Sequence, residues 1–269
     1  MKKDKKRQSY RFKDIVWRDF SLIAIGFLCI FIFSFIGLTI AAIAFQNINE
    51  LQLTMIGTLG QFMSYILVIV AFYFLHINSF ADRVKSGFDY LKKHWLFIII
   101  VMCASFIISN VYDKLIELLP KYLQYSETQN ELELNELFKS GIFIPFAFVL
   151  IVIVGPIVEE LVFRHLLIGE LGKKFNFIVM GVISALSFTY IHVSDAKSPF
   201  EFGAYLILAI ALVYVYLKSN RNLASSISLH MLNNFISFIW TIIVVFSKWL
   251  YSVNDLKIYF RAVVITGNY

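Results

Sequence analysis

Long apolar stretches broken by short polar ones run from Ser21 to Phe246. Seven of them predict membrane-spanning helices: roughly Ser21–Phe45, Met55–Ile77, Trp95–Tyr112, Gly141–Leu171, Phe175–Val193, Phe202–Leu217 and Leu223–Phe246. Apolar runs of about 18 residues or more mark such helices, and a soluble core of this length does not need them. The fourth run has 31 residues, more than the ~20 that cross a bilayer. Its excess must tilt or emerge into the interface. The fold class expected is an all-α polytopic transmembrane bundle of about seven spans, with eight as the alternative.

Composition agrees. The chain is 59% hydrophobic and only 16% charged, against roughly a quarter charged in soluble domains. The net charge of +6 invites a nucleic-acid reading, but the basic residues sit at the edges of the apolar runs, where topology is encoded. The N-terminal segment carries eight Lys and Arg, "NSFADRVKSGFDYLKKHW" four, and "GKKFN" and "KSNRN" two each. On the other side, "QNINELQLT" has none and "SDAKSPFE" one, and the segment from Asp113 to Ser140 sets three against six carboxylates. The N-terminus is therefore expected in the cytoplasm of a multi-pass plasma-membrane protein, bacterial by its lack of organellar signals, with membrane lipid as partner and no nucleic acid. The first apolar run is too long for a cleaved secretory signal and reads as a retained helix. Cys29 and Cys103 both lie inside apolar runs, so they suggest no disulfide framework or thiolate metal site.

Against this apolar background, ionisable residues inside spans cost at least ~2.5–3.5 kcal/mol each at mid-helix and are functional hypotheses by default. Three clusters qualify. In "GPIVEELVFRH", Glu160 and Arg164 are four apart and share a helix face. Glu159 is turned about 100° away from Glu160, so Glu160 is expected to pair with Arg164 while Glu159 is left for general-base work. In "SFTYIHV", Phe188 and His192 stack four apart, and in "SISLHMLNNFISF", His230 and Asn234 do the same. Each has a bland reading: a solvated helix end, a structural histidine, helix–helix hydrogen bonding. Together they offer a carboxylate, two imidazoles and a carboxamide from three helices, a set suited to activating a water and holding an oxyanion. No serine or cysteine stands poised as a nucleophile.

The three clusters resemble the motifs of a known family. "EELVFR" fits EExxxR, "FTYIH" fits FxxxH and "HMLNN" fits HxxxN. Their order on late helices is similar to that of the CAAX-protease and bacteriocin-processing (CPBP, or Abi) intramembrane endopeptidases, related to the type II CAAX prenyl endopeptidases. The resemblance covers Gly155 to about Phe238; the first 140 residues add only a compatible helix count. It implies that Glu159 and His192 activate water, that His230 and Asn234 form the oxyanion site, and that Glu160, Arg164 and Phe188 support them. The family is often labelled a metalloprotease. If zinc were bound, Glu159, His192 and His230 would be the candidate ligands, leaving a fourth position for water. A metal-free glutamate mechanism is favoured, no cofactor is committed, and zinc stays the alternative. The chain then divides into a basic segment 1–20, helices over 21–140 with an acidic external segment 113–140, a catalytic core 141–246 and a tail 247–269.

The leading expectation is hydrolysis of a peptide bond in a membrane-protein, membrane-associated or secreted-peptide substrate. A non-catalytic membrane regulator or bacteriocin-immunity protein on the same scaffold is the alternative. A transporter is disfavoured, because no pair of broken helices repeats across two halves. One feature resists simple placement. On straight helices starting at one level, His192 lies some fifteen residues from its end and His230 seven, a depth difference of roughly 12 Å. A tilted, sunken or broken helix and a wet cleft between the fourth, fifth and seventh spans are expected. The acidic external segment reads as an amphipathic linker, with a lid over the cavity as the functional alternative.

Overall fold

The structure, a computed structural model, describes residues 10–266 except 46, 126–137, 139, 140, 195 and 197; of Ile142 and of 248–266 only the backbone is described. Most of the acidic external segment lies outside the described residues. Two short 3-10 turns, Phe12–Asp14 and Trp17–Phe20, lead into α1 (Ser21–Ala44), followed by α2 (Glu50–Leu75) and α3 (Phe80–Ile116). A broken helix α4 runs over Ile144–Phe175, and α5 (Phe177–His192), α6 (Glu201–Lys218) and α7 (Leu223–Thr266) complete the chain. Among the described residues there is no strand. Six helices are long and apolar enough to cross a membrane, and α5 is a shorter apolar one. The protein is a polytopic helical bundle.

Three boundaries differ from expectation. The third span extends N-terminally to Phe80, and its 37 residues would measure about 55 Å if straight, far more than a bilayer core of ~30 Å. Non-helical angles at His94 break it, separating the amphipathic "FADRVKSGFDYLKK" from the apolar half. The seventh helix does not stop at Phe246 but continues through Thr266. The fourth is helical throughout but irregular. Pro156 has no N–H, so the hydrogen bond it would give to Val152 is absent. The turn before it opens into a π-helix over Val149–Val154, and a second π stretch covers Leu161–Leu171. Such widened turns are frequent at functional sites.

Helix α4 is central. On one side Val158 and Leu161 pack with Leu22 of α1 and Val68 and Phe72 of α2. On the other, Phe163 joins Ile98, Met102, Phe188, Leu212 and Leu229, drawn from α3, α5, α6 and α7. Phe31, Phe35 and Ile43 of α1 stay exposed, as a lipid-facing surface requires. In lipid, apolar burial drives helix association weakly, so close approach through small residues and interhelical hydrogen bonds must do it. The α1–α2 contact follows that rule: Ser64 donates to Gly26 O at 2.8 Å, and a Cβ on Gly60 would stand 2.8 Å from Ser34 Oγ and 3.2 Å from Ser34 N. Two tight turns set the levels of the later helices. Asn176, at φ 80°, accepts from Ile178 N–H and caps α5; Asn220 and Arg221, at φ 57° and 64°, turn α6 into α7.

Gly60→Leu is expected to force α1 off α2 and lower stability by about 1–3 kcal/mol. Thermal unfolding in detergent reads this as a lower midpoint, and Gly60→Ser should fall between it and the unsubstituted protein.

Candidate active site

Glu159 lies seventeen residues before Asn176 and His192 sixteen after it, so the α4–α5 hairpin brings the two to one level. His230 reaches them from only seven residues into α7. The depth mismatch expected from straight, level helices is therefore absent. The α6–α7 turn must start α7 deeper than α5, or tilt it, by about 12 Å. The result is convergence on one atom: Glu159 Oε2 is 3.7 Å from His192 Nε2 and 3.6 Å from His230 Nε2.

The other nitrogen of each ring is already engaged. His192 Nδ1 lies 2.7 Å from Phe188 O, and since a carbonyl only accepts, Nδ1 carries the proton. His230 Nδ1 lies 3.1 Å from Glu160 Oε1, and a carboxylate imposes the same. In their neutral forms both rings thus present a bare Nε2 to a carboxylate oxygen that itself only accepts. At 3.7 and 3.6 Å from Glu159 Oε2 the two Nε2 atoms are too far for direct hydrogen bonds and suitably spaced for a bridging water. Glu159 Oε2 has no hydrogen-bond partner among the described residues.

The supporting residues lie behind this face. Glu160 and Arg164 are wholly buried, with Nη1 2.9 Å from Oε1. Arg164 Nη2 also approaches Ala209 O at 3.5 Å. Phe188 is the hub: its ring stacks on His192 (centroids 4.2 Å, 30°), meets His230 edge-on at 5.6 Å, and lies 4.8 Å under the Arg164 guanidinium. Asn234 donates to Ile151 O at 2.9 Å and accepts from Asn233 at 3.2 Å. One of its N–H groups therefore holds the first π stretch of α4, whose widened turn leaves carbonyls free for such a partner. Ser184 donates to Phe163 O at 2.7 Å, which places its hydroxyl on backbone, away from both imidazoles.

A cavity of about 750 Å³ opens onto Glu159, His192, His230 and Asn234. Its far wall comes from the first three helices, with Leu22 and Phe27 of α1, Gln61 and Tyr65 of α2, and Ser109 and Asn110 of α3. Helices expected to contribute only their number thus shape the site. Isolated polar residues inside apolar runs, such as Gln61, were the available signal. Zinc ligand atoms in a tetrahedral site stand about 3.3 Å apart. Among the described residues, the His, Cys, Asp and Glu trio with ligand atoms all within 4.8 Å of one another is Asp19, His76 and His165. Glu159, His192 and His230 do not form such a set.

Removing one member of a buried ion pair strands the other charge at a cost of about 3–5 kcal/mol, whereas replacing both with apolar groups is often neutral. Arg164→Ala is expected to unfold at a markedly lower temperature in detergent. The double variant Glu160→Gln with Arg164→Met should recover most of that loss.

Residues 141–236 match the model of the family described as Type II CAAX prenyl endopeptidase Rce1-like. The chain is 33% identical over 97 residues to the membrane-embedded CAAX protease MroQ of Staphylococcus aureus (strain USA300), covering 34% of this chain and 37% of that protein. It is 30% identical over 93 residues to YdiL, a membrane-peptidase candidate of Bacillus subtilis (strain 168), covering 35% and 36%. The chain thus spans little more than a third of the length of the curated relatives it matches. No solved structure gives a significant match. All three motifs fall inside the matched region, and the resemblance they carry is borne out by the match of residues 141–236 to the Rce1-like family model.

Proposed function

We propose that this protein is an intramembrane endopeptidase that cleaves a membrane-associated or secreted-peptide substrate with a water activated by Glu159. The observation that carries it is the convergence of His192 Nε2 and His230 Nε2 on Glu159 Oε2, at the wall of a cavity large enough for several peptide residues. The match to CAAX-type membrane peptidases supports it.

In this reading a water sits between the three. Glu159 takes its proton as the oxygen attacks the peptide carbonyl carbon, and His192, held by Phe188 O, orients it. The oxyanion needs donors. His230 gives its Nδ1–H to Glu160, so it serves the oxyanion through Nε2 only as imidazolium, which donates from both nitrogens. Asn234 offers its second N–H. Collapse of the intermediate breaks the C–N bond, and the proton on Glu159 passes to the leaving amine, giving a carboxylic acid product and a free amine. The reaction balances with no metal and no covalent intermediate.

The apolar cavity wall from α1 suits a substrate with a lipid-embedded portion. The excess of Lys and Arg in the N-terminal segment and in the loops on its side of the bundle supports a cytoplasmic N-terminus, and the bacterial sources of both relatives support a plasma-membrane location.

The test is cleavage of a library of membrane-anchored peptides by the purified protein in lipid. Glu159→Gln and Glu159→Ala should each lose activity by about 10²–10⁴-fold, while cleavage by the unsubstituted protein survives a strong zinc chelator. Cleavage by Glu159→Ala at an undiminished rate overturns the proposal. So does a failure of the unsubstituted protein to cleave any peptide while Glu159→Ala retains the cellular phenotype, which would favour the regulator or immunity role.

A further inference from the structure

Of the five histidines in the chain, two have no part in the Glu159 centre yet are almost fully buried. His76 ends α2, where its N–H bonds back to Phe72 O and Tyr73 O. His165 follows Arg164 in the second π stretch of α4, and as its neighbour it points about 100° away around the helix. Both rings aim Nε2 at one oxygen of Asp19, in the 3-10 turn before α1: Asp19 Oδ2 is 2.9 Å from His76 and 2.8 Å from His165. Exposure is 0% for Asp19, 5% for His76 and 7% for His165. None of the three lines the cavity at Glu159.

This cluster is electrostatically incomplete. Asp19 is a buried carboxylate, and Asp19 Oδ1 has no hydrogen-bond partner among the described residues. The cation beside it, Arg18, stands 3.8 Å from Oδ1 with its side chain 61% exposed, too distant and too hydrated to offset the burial. Two imidazoles and a carboxylate, converging from three separate elements, are the donor set that takes a divalent first-row ion. The two rings are nearly perpendicular, at 84°, so they approach a common point without stacking. The Phe72 ring lies against both, at 4.6 and 5.4 Å, and closes the site with an apolar wall of the kind that excludes solvent from a metal.

We propose that Asp19, His76 and His165 form a structural metal site of the zinc class, distinct from the Glu159 centre, that staples the segment before α1 to the end of α2 and to α4. The ion replaces the two protons shared between the imidazoles and Asp19. To admit it, the ligand atoms separate from 2.8–2.9 Å to about 3.3 Å, a shift within reach of His76, whose backbone has already left the helix. The segment is held ready by a second contact: Glu170 of α4 accepts from Val16 N–H at 2.7 Å and from Lys173 at 2.6 Å. If the site is metallated, inhibition by a chelator does not by itself identify a catalytic metal, because the ion removed could be this one.

The test reads metal content, not activity, so it is independent of the peptidase proposal. The full chain is purified without chelator, incubated with Zn²⁺ or Co²⁺, desalted and analysed for metal per chain. About one ion per chain is expected in the unsubstituted protein and in Glu159→Gln and His192→Ala, falling below about a tenth of that in Asp19→Asn and His76→Ala. His76→Cys guards against loss of fold: it should retain Co²⁺ and gain a thiolate-to-cobalt absorption band that only direct ligation produces. A chain that takes up neither metal overturns the proposal. So does an ion that follows Glu159 and His192 while ignoring Asp19 and His76, or a Co²⁺ complex of His76→Cys without that band.

Discussion

The buried pair of Glu160 and Arg164 is the constraint from which the rest of the site follows. Two full charges in an apolar helix can be tolerated only against each other, and that fixes the rotation of α4. With Glu160 turned inward to Arg164, the helical repeat sends Glu159 into the cavity and His165 toward Asp19. The same carboxylate takes the Nδ1 proton of His230 and so sets which nitrogen of that ring faces Glu159. Arg164 lies over Phe188, whose carbonyl and ring fix His192. A charge pair that touches no substrate thereby determines the orientation of both imidazoles.

The matched segment and the cavity have different extents. Glu159, His192, His230 and Asn234 all lie within residues 141–236, whereas much of the wall facing them comes from α1, α2 and α3. The groups proposed to react lie in the matched segment, while much of the cavity wall opposite them lies in helices outside it. The pair of Gln61 and Tyr65, joined at 3.1 Å, lines that space together with apolar side chains of α1.

The bundle was legible because lipid exposure demands uninterrupted apolar runs, and the three clusters were legible because a charge in such a run is costly. Those rules located Glu159 and Glu160, Phe188 and His192, and His230 and Asn234 on their helices. They could not reveal that His192 and His230 converge on Glu159, since helix level depends on turns such as Asn176 and Asn220–Arg221 rather than on hydropathy. They also passed over Asp19, His76 and His165. The first two lie at span edges, where polar residues are ordinary, and His165 was absorbed into the motif it adjoins. Only the tertiary arrangement brings these three together. The π stretches were equally hidden, although Pro156 marked where the first of them ends.

Helix α5, with its 16 residues, is only about 24 Å long, short of the ~30 Å of hydrocarbon in a typical bilayer. Such a mismatch is relieved by local thinning of the lipid or by leaving one helix end below the headgroups. His192 is the last residue of that helix, so either response shortens the path from bulk water to Glu159. A helix too short for its solvent thereby draws the aqueous boundary inward, toward the carboxylate of Glu159.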